Sequence, residues 1–311
     1  MQIRIGLPIP GGALLRTAQQ LDAPVLVSAS AFVRRWPAAE RWQLPFPGFK
    51  APVPELAGAD VALDSAGFVA MVLHRGFPWS VAQYVELAAS HPWSWWSQMD
   101  LCCEAQVAGD RDTVKLRTAE TARLYAECAR EAQHRDIKPP MPIVQGWRAD
   151  DYAWSADWLP ADATLIGVGS VCRRQLGGPD GVEAVVARLD RVLPPAMQLH
   201  LFGVKSQAVE LLAGHPRIAS VDSMAWDSHS RRVNRGHNTM AHRSAAMRSW
   251  YERQVARATH HGSRTLQPML DLPSGAEHLI PEDLLQLIAE GEIELSTVSH
   301  HFIEAWLADD D

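Results

Sequence analysis

Short apolar runs along the chain alternate with longer stretches whose apolar residues recur every three or four positions. The runs at 23–32, 59–68, 95–103, 142–147, 164–171, 198–204 and 218–226 have the length and branched apolar content of strands. Between them, 112–133, 181–193 and 206–214 carry a helical period. Strands alternating with helices imply βαβ units and a parallel sheet. Seven such runs in one chain favour an α/β (β/α)8 TIM-like barrel over an open doubly wound sheet, with the eighth strand unplaced.

Polar residues gather at the carboxyl ends of these runs. Asp64-Ser65, Asp100, Gln145-Gly146, the stretch Gly167 to Ser170, Gly203 and Asp222-Ser223 all sit there. Turn chemistry alone favours Gly, Asp and Ser at strand ends, which accounts for one or two such positions better than for all of them. Barrels build their active sites at the carboxyl ends of several strands, so these positions are expected to form a catalytic mouth.

Composition narrows the class. The 311 residues are read as a single catalytic barrel domain over 1–311, with a basic helical extension at about 228–264 and a helical segment at about 265–311. Helices are expected there at 281–290 and 296–308. No window approaches the roughly 18 apolar residues of a membrane helix, and the start of the chain lacks a secretory pattern. Four scattered cysteines suggest a reducing, cytoplasmic setting rather than a disulfide framework. Neither "GVGSVC" at 167–172 nor "PIPGG" at 8–12 fits a nucleotide-binding loop, and no cofactor is expected.

Net charge is −7, yet eight arginines face a single acid between Ser228 and Arg264. A basic face on an acidic body suits contact with a polyanion, with Arg231, Arg232, Arg235 and Arg243 as the expected phosphate-binding residues. A solvated arginine-rich helix is the simpler alternative. Trp93, Trp95 and Trp96 are read as helix–sheet packing rather than as a base-stacking platform.

Three of the strand-end residues are acids: Asp64, Asp100 and Asp222. Paired carboxylates suit chemistry at an anomeric carbon, one as nucleophile and one as proton carrier. The surrounding motifs refine this. "LDSAGF" (63–68), "MDLCCE" (99–104), "PIVQGW" (142–147), "IGVGSV" (166–171), "LHLFGV" (199–204) and "VDSMAW" (221–226) resemble, in order, the strand-end motifs of the tRNA-guanine transglycosylases. Ala66 stands where that family has glycine, and Leu101 where it has glutamate.

The resemblance implies that Asp222 is the nucleophile and Asp64 the general acid/base. It implies that Ser65, Phe68, Asp100, Gln145, Gly146, Gly167, Val168 and Gly169 surround the base, with Phe68 stacking and Asp100 and Gln145 reading the guanine edge. No cysteine follows Cys172, so the zinc site of the tRNA enzymes has no counterpart. His237, His242, His260 and His261 lack a ligand pattern that would replace it. The sequence after the nucleophile is closer to the DNA-directed branch, which exchanges guanine in DNA for a 7-deazaguanine such as preQ0. The expected partners are therefore DNA, offering a flipped or single-stranded guanine, and the 7-deazaguanine base, with room for a helper protein that opens the duplex. An archaeal-type tRNA enzyme and a non-catalytic nucleic-acid-binding barrel are the competing readings. Asp227 is the alternative nucleophile in a shifted register, and Asp222 fits the motif better.

Overall fold

The computed structural model describes residues 1–36, 45–172 and 174–259. The chain runs β1 (Gln2–Leu7), α1 (Gly12–Gln20), β2 (Val25–Ser28), β3 (Val61–Asp64), α2 (Gly67–His74), α3 (Val81–Ala89), α4 (Ala105–Ala108) and α5 (Arg111–His134). It continues through β4 (Ile143–Val144), α6 (Ala149–Ala156), β5 (Leu165–Val168), α7 (Val182–Val192), β6 (Gln198–Leu201), α8 (Ala208–Leu212), β7 (Ile218–Ser223), α9 (Ala225–Val233) and α10 (Met240–Thr259). The helices expected at 281–290 and 296–308, together with His260 and His261, lie outside the described residues.

The strands form one seven-stranded sheet in the order β3-β2-β1-β7-β6-β5-β4, every pair parallel. Residues 94–98 touch both edges of it. On one side Ser94 and Ser97 donate their N–H groups to the carbonyls of Val61 and Leu63, and Leu63 donates to Trp95. On the other, Met141 donates to Trp96 and Gln98 donates to Met141. The sheet is curled, and the architecture is a mixed α/β fold compatible with a TIM-like barrel.

Two expectations about strands are corrected. The missing strand is β1, which lies inside the sheet between β2 and β7. Its alternation is obscured by Arg4, a charged residue that nevertheless points to the inner face and is buried. The run at 95–103 contributes bridges at Trp96 and Ser97 instead of a strand. The Gln98 side chain replaces the next ladder carbonyl, accepting from the Ile143 N–H at 2.9 Å.

Side chains follow the two-residue period of strands. Ile3, Ile5, Val25, Val27, Val61, Leu63, Ile166, Val168, Leu199, Leu201 and Val221 are buried together in the apolar core, on the face the helices cover. Each such residue contributes about 1.5–3 kcal/mol of burial. The alternate positions share the inner face in register: Arg4 beside Asp222, Ser28 beside Asp64, Gly167 beside His200. The division explains how one strand serves both core and site.

β7 passes through Met224 into α9, whose position fixes the chain just beyond Asp222. Trp226 donates its indole N–H to the Gly6 carbonyl at 3.2 Å. Asp227 is 1% exposed and accepts from Arg243 Nε at 2.6 Å and Nη2 at 3.0 Å, and from Arg231 Nε at 3.1 Å. Arg243 is itself buried, and its planar fork is taken up by a carboxylate geometry it matches. This corrects the expectation that Arg243 meets a phosphate: it clips α10 to α9 inside the protein. Trp93 and Trp96 pack in the core as expected. Replacing Asp227 by Ala strands the Arg243 charge, so urea denaturation should show a loss of about 3–5 kcal/mol. A loss below about 1 kcal/mol would contradict the clip.

Candidate active site

The carboxyl ends of the strands surround a cavity of about 160 Å3. Asp64, Phe68, Asp100, Gln145, Gly169 and Asp222 all line it. Six of the expected site residues are thus brought together from β3, α2, the segment after residue 98, the end of β4, the end of β5 and β7.

Asp64 ends β3 and caps the sharp turn into α2. Its Oδ2 accepts from the Ala66 N–H at 3.0 Å. Ala66 holds φ 66° and ψ 32°, the left-handed region that favours glycine, at the very position where the resembling motif carries one. The next residue, Gly67, must be small. A Cβ there would lie 2.4 Å from the Asp100 carbonyl oxygen and 2.6 Å from its Oδ1. The turn therefore brings Asp64 and Asp100 into the same small volume.

Electrostatics follow from that crowding. Burial, then the neighbouring Asp100, and also Asp222, push the Asp64 carboxyl up to about 7. An N–H from Ala66 and a hydroxyl from Ser28 act against the rise. Burial raises Asp100 as well, opposed by its hydrogen bonds to Ser65 and Gln145. A carboxyl that titrates near neutrality is poised to give and take a proton.

Asp100 sits in a polar chain. Ser65 Oγ donates to its Oδ1 at 2.7 Å and Gln145 Nε2 donates to its Oδ2 at 2.5 Å. Gln145 Oε1 accepts from Ser170 Oγ at 2.6 Å, and that hydroxyl accepts from the Cys103 N–H at 2.7 Å. A Cβ on Gly169 would lie 2.2 Å from Gln145 Nε2, so glycine is what lets the amide occupy its place. The pair offers a planar, mixed donor–acceptor edge to a ligand in the cavity. Ser65 itself does not line the cavity and acts through Asp100.

Asp222 lies at the end of β7, with Oδ1 accepting from the Gly203 N–H at 2.9 Å. Phe68 and Phe202 add aromatic surface to the cavity wall. Such a site can hold a planar polar ring while one carboxylate attacks and another carries a proton.

Three expected residues sit elsewhere. Gly146 packs on α6, where a Cβ would meet Asp151 at 2.6 Å. The Val168 side chain belongs to the outer core. Gly167 lies below the cavity and makes room for Phe202, whose Cε2 would stand 2.7 Å from an added Cβ. Of the arginines, Arg231 and Arg232 are half-buried on α9 and Arg235 is exposed just after it.

The structure also adds lining residues outside those expected: Gly6 and Leu7 at the end of β1 and Pro8 after it, Ser28 at the end of β2, and Cys102, Glu104, Cys172 and Met224. Ser28 carried the same polar-strand-end signal as Asp64, and Glu104 closes the motif that begins at Met99. The β1 residues had no signal while that strand was unrecognised.

A family model described as DpdA, DeoxyPurine in DNA protein A, matches residues 46–291. No curated protein matches the chain. The family match covers well over half of the chain, and it spans the segments carrying Asp64, Asp100, Gln145 and Asp222. The chain belongs to the DpdA family, a DNA-directed group resembling the tRNA-guanine transglycosylases.

Proposed function

We propose that this protein exchanges guanine in DNA for a 7-deazaguanine base, by double displacement in a TIM-like barrel. The observation that carries the reading is the convergence of Asp64, Asp222 and the Asp100–Gln145 pair on one cavity. Family membership supports DNA as the polynucleotide, ahead of tRNA.

In this scheme Asp222 attacks C1′ of a deoxyguanosine that has left the duplex stack, since a stacked nucleotide cannot present C1′ to a barrel mouth. The C1′–N9 bond breaks as Asp64 gives its proton to the departing guanine. A 7-deazaguanine then takes guanine's place, Asp64 accepts the proton from its N9, and the base displaces Asp222 from C1′. Asp100 and Gln145 hydrogen-bond the base edge, since a carboxylate accepts from N–H groups and an amide both gives and receives. Phe68 stacks on its face.

Asp222→Ala and Asp222→Asn should abolish incorporation of labelled 7-deazaguanine into DNA while leaving the Kd for DNA within about threefold. Offering guanine-labelled tRNA beside DNA distinguishes the two polynucleotides, and exchange confined to tRNA would overturn the assignment.

The two half-reactions should respond to pH in opposite directions. Guanine departure needs the acid form of Asp64, so single-turnover adduct formation should fall as pH rises through about 7. Resolution of the adduct by the incoming base needs the carboxylate and should slow as pH falls through about 7. Asp64→Asn should remove both limbs; limbs that persist in that variant would assign the titration to another group.

Arg232 and Arg235 are the residues of the basic segment we assign to phosphate binding. Replacing both by Ala should weaken DNA binding evenly across sequences. It should also flatten log Kd against log salt by about one unit for each phosphate that is no longer neutralised. An unchanged slope would remove them from the interface.

A further inference from the structure

The exchange scheme leaves unused a fully buried histidine on the inner face next to the nucleophile. His200 ends 3.3 Å from Asp222, Nε2 to Oδ1, and that nitrogen is buried with no hydrogen-bond partner. Its other nitrogen, Nδ1, is 2.8 Å from Ser220 Oγ. The ring lies between Trp95, tilted at 57° with centroids 4.8 Å apart, and Phe202, edge-to-face with centroids 4.6 Å apart.

Which nitrogen carries the proton follows from the surroundings. Burial lowers the imidazole's pKa, with Asp222 opposing and the Arg4 charge adding to the effect, so the ring is neutral and has one N–H. A bare Nε2 lone pair facing a carboxylate oxygen would be repelled by it. A hydroxyl can donate as readily as accept, so Ser220 can give its hydrogen to Nδ1. That leaves the N–H on Nε2, directed at Asp222.

We infer that His200 is a positioning residue for the nucleophile: its Nε2–H and the Gly203 N–H together hold Oδ1 of Asp222 and leave Oδ2 as the oxygen presented to C1′. The inference rests on the exchange reading. In the first step Oδ2 gives an electron pair to C1′ as the C1′–N9 bond breaks. In the second, the C1′–Oδ2 bond breaks and its pair returns to the carboxylate. Two donors on Oδ1 fix the carboxylate's rotation in the first step and stabilise the charge regenerated in the second. A small rotation of either side chain converts the 3.3 Å approach into a hydrogen bond, which is how such contacts tighten when a reacting complex forms.

The test uses His200→Phe, which keeps an aromatic ring between Trp95 and Phe202, and His200→Gln, which restores an N–H at similar reach. Rapid-quench single turnovers read adduct formation and adduct resolution separately, alongside Kd for DNA and thermal unfolding. His200→Phe should slow both steps about 10- to 100-fold, the worth of a hydrogen bond to a charged group, with Kd for DNA unchanged. His200→Gln should recover to within about tenfold of the parent. Ser220→Ala, which leaves the ring in place but frees its tautomer, should show a smaller loss in the same direction, and it carries the test if His200→Phe does not fold. Parent-like rates in His200→Phe or, failing that variant, in Ser220→Ala would overturn the inference, as would a Gln variant no faster than Phe. If Asp222→Ala is inactive while His200→Phe is parent-like, only this inference falls. An active Asp222→Ala would remove the exchange reading with it.

Discussion

Carboxylates crowded into one small, poorly solvated cavity cannot all ionise freely, and the candidate site is organised by that constraint. Asp64 and Asp100 are forced together by the αL turn at Ala66 and by the absence of a side chain at Gly67. One outcome is a carboxyl at Asp64 that titrates at about 7. The other is a buried Asp100 stabilised by donors from Ser65 and Gln145. Like charges in a low-dielectric pocket separate into an acid and a base when their surroundings differ. Here the surroundings differ because Asp64 ends β3, while Asp100 lies in the segment after residue 98, where Ser65 and Gln145 donate to it.

The curled parallel sheet is what makes the arrangement attainable. Its outer face buries the valines, leucines and isoleucines under the helices, while its inner face carries Arg4, Ser28, Asp64, His200 and Asp222. Three of these inner residues have hydrogen-bond partners: Arg4 reaches Asp60 at 3.0 Å, His200 Nδ1 reaches Ser220, and Asp222 takes the Gly203 N–H. A buried polar group without a partner costs stability, so this network supports the fold as well as the chemistry.

Much of this was legible in the residues alone, and the failures have physical reasons. Strand ends bearing Asp64, Asp100, Gln145 and Asp222 stand out because apolar runs make polar terminal residues conspicuous. β1 was hidden because a buried arginine breaks the apolar alternation that marks a strand, and its charge is paired with a residue far along the chain, Asp60. Gly146, Gly167 and Val168 sit within motif segments but face α6, Phe202 and the outer core; adjacency in a strand does not mean adjacency to a ligand when side chains alternate. The arginine count in 228–264 overstated the basic surface. Charge along a sequence says nothing of pairing, and Asp227 takes up Arg243 and engages Arg231. No helix among the described residues is long and apolar enough to cross a membrane.

The most direct test of the account is to trap the intermediate. Guanine-containing DNA and the protein, quenched with denaturant before a 7-deazaguanine is supplied, should yield a covalent deoxyribosyl adduct that peptide mass spectrometry maps to Asp222 and that disappears when the base is added before the quench. An adduct mapped to Asp64 or Asp100, or base exchange proceeding with no adduct at Asp222, would contradict it.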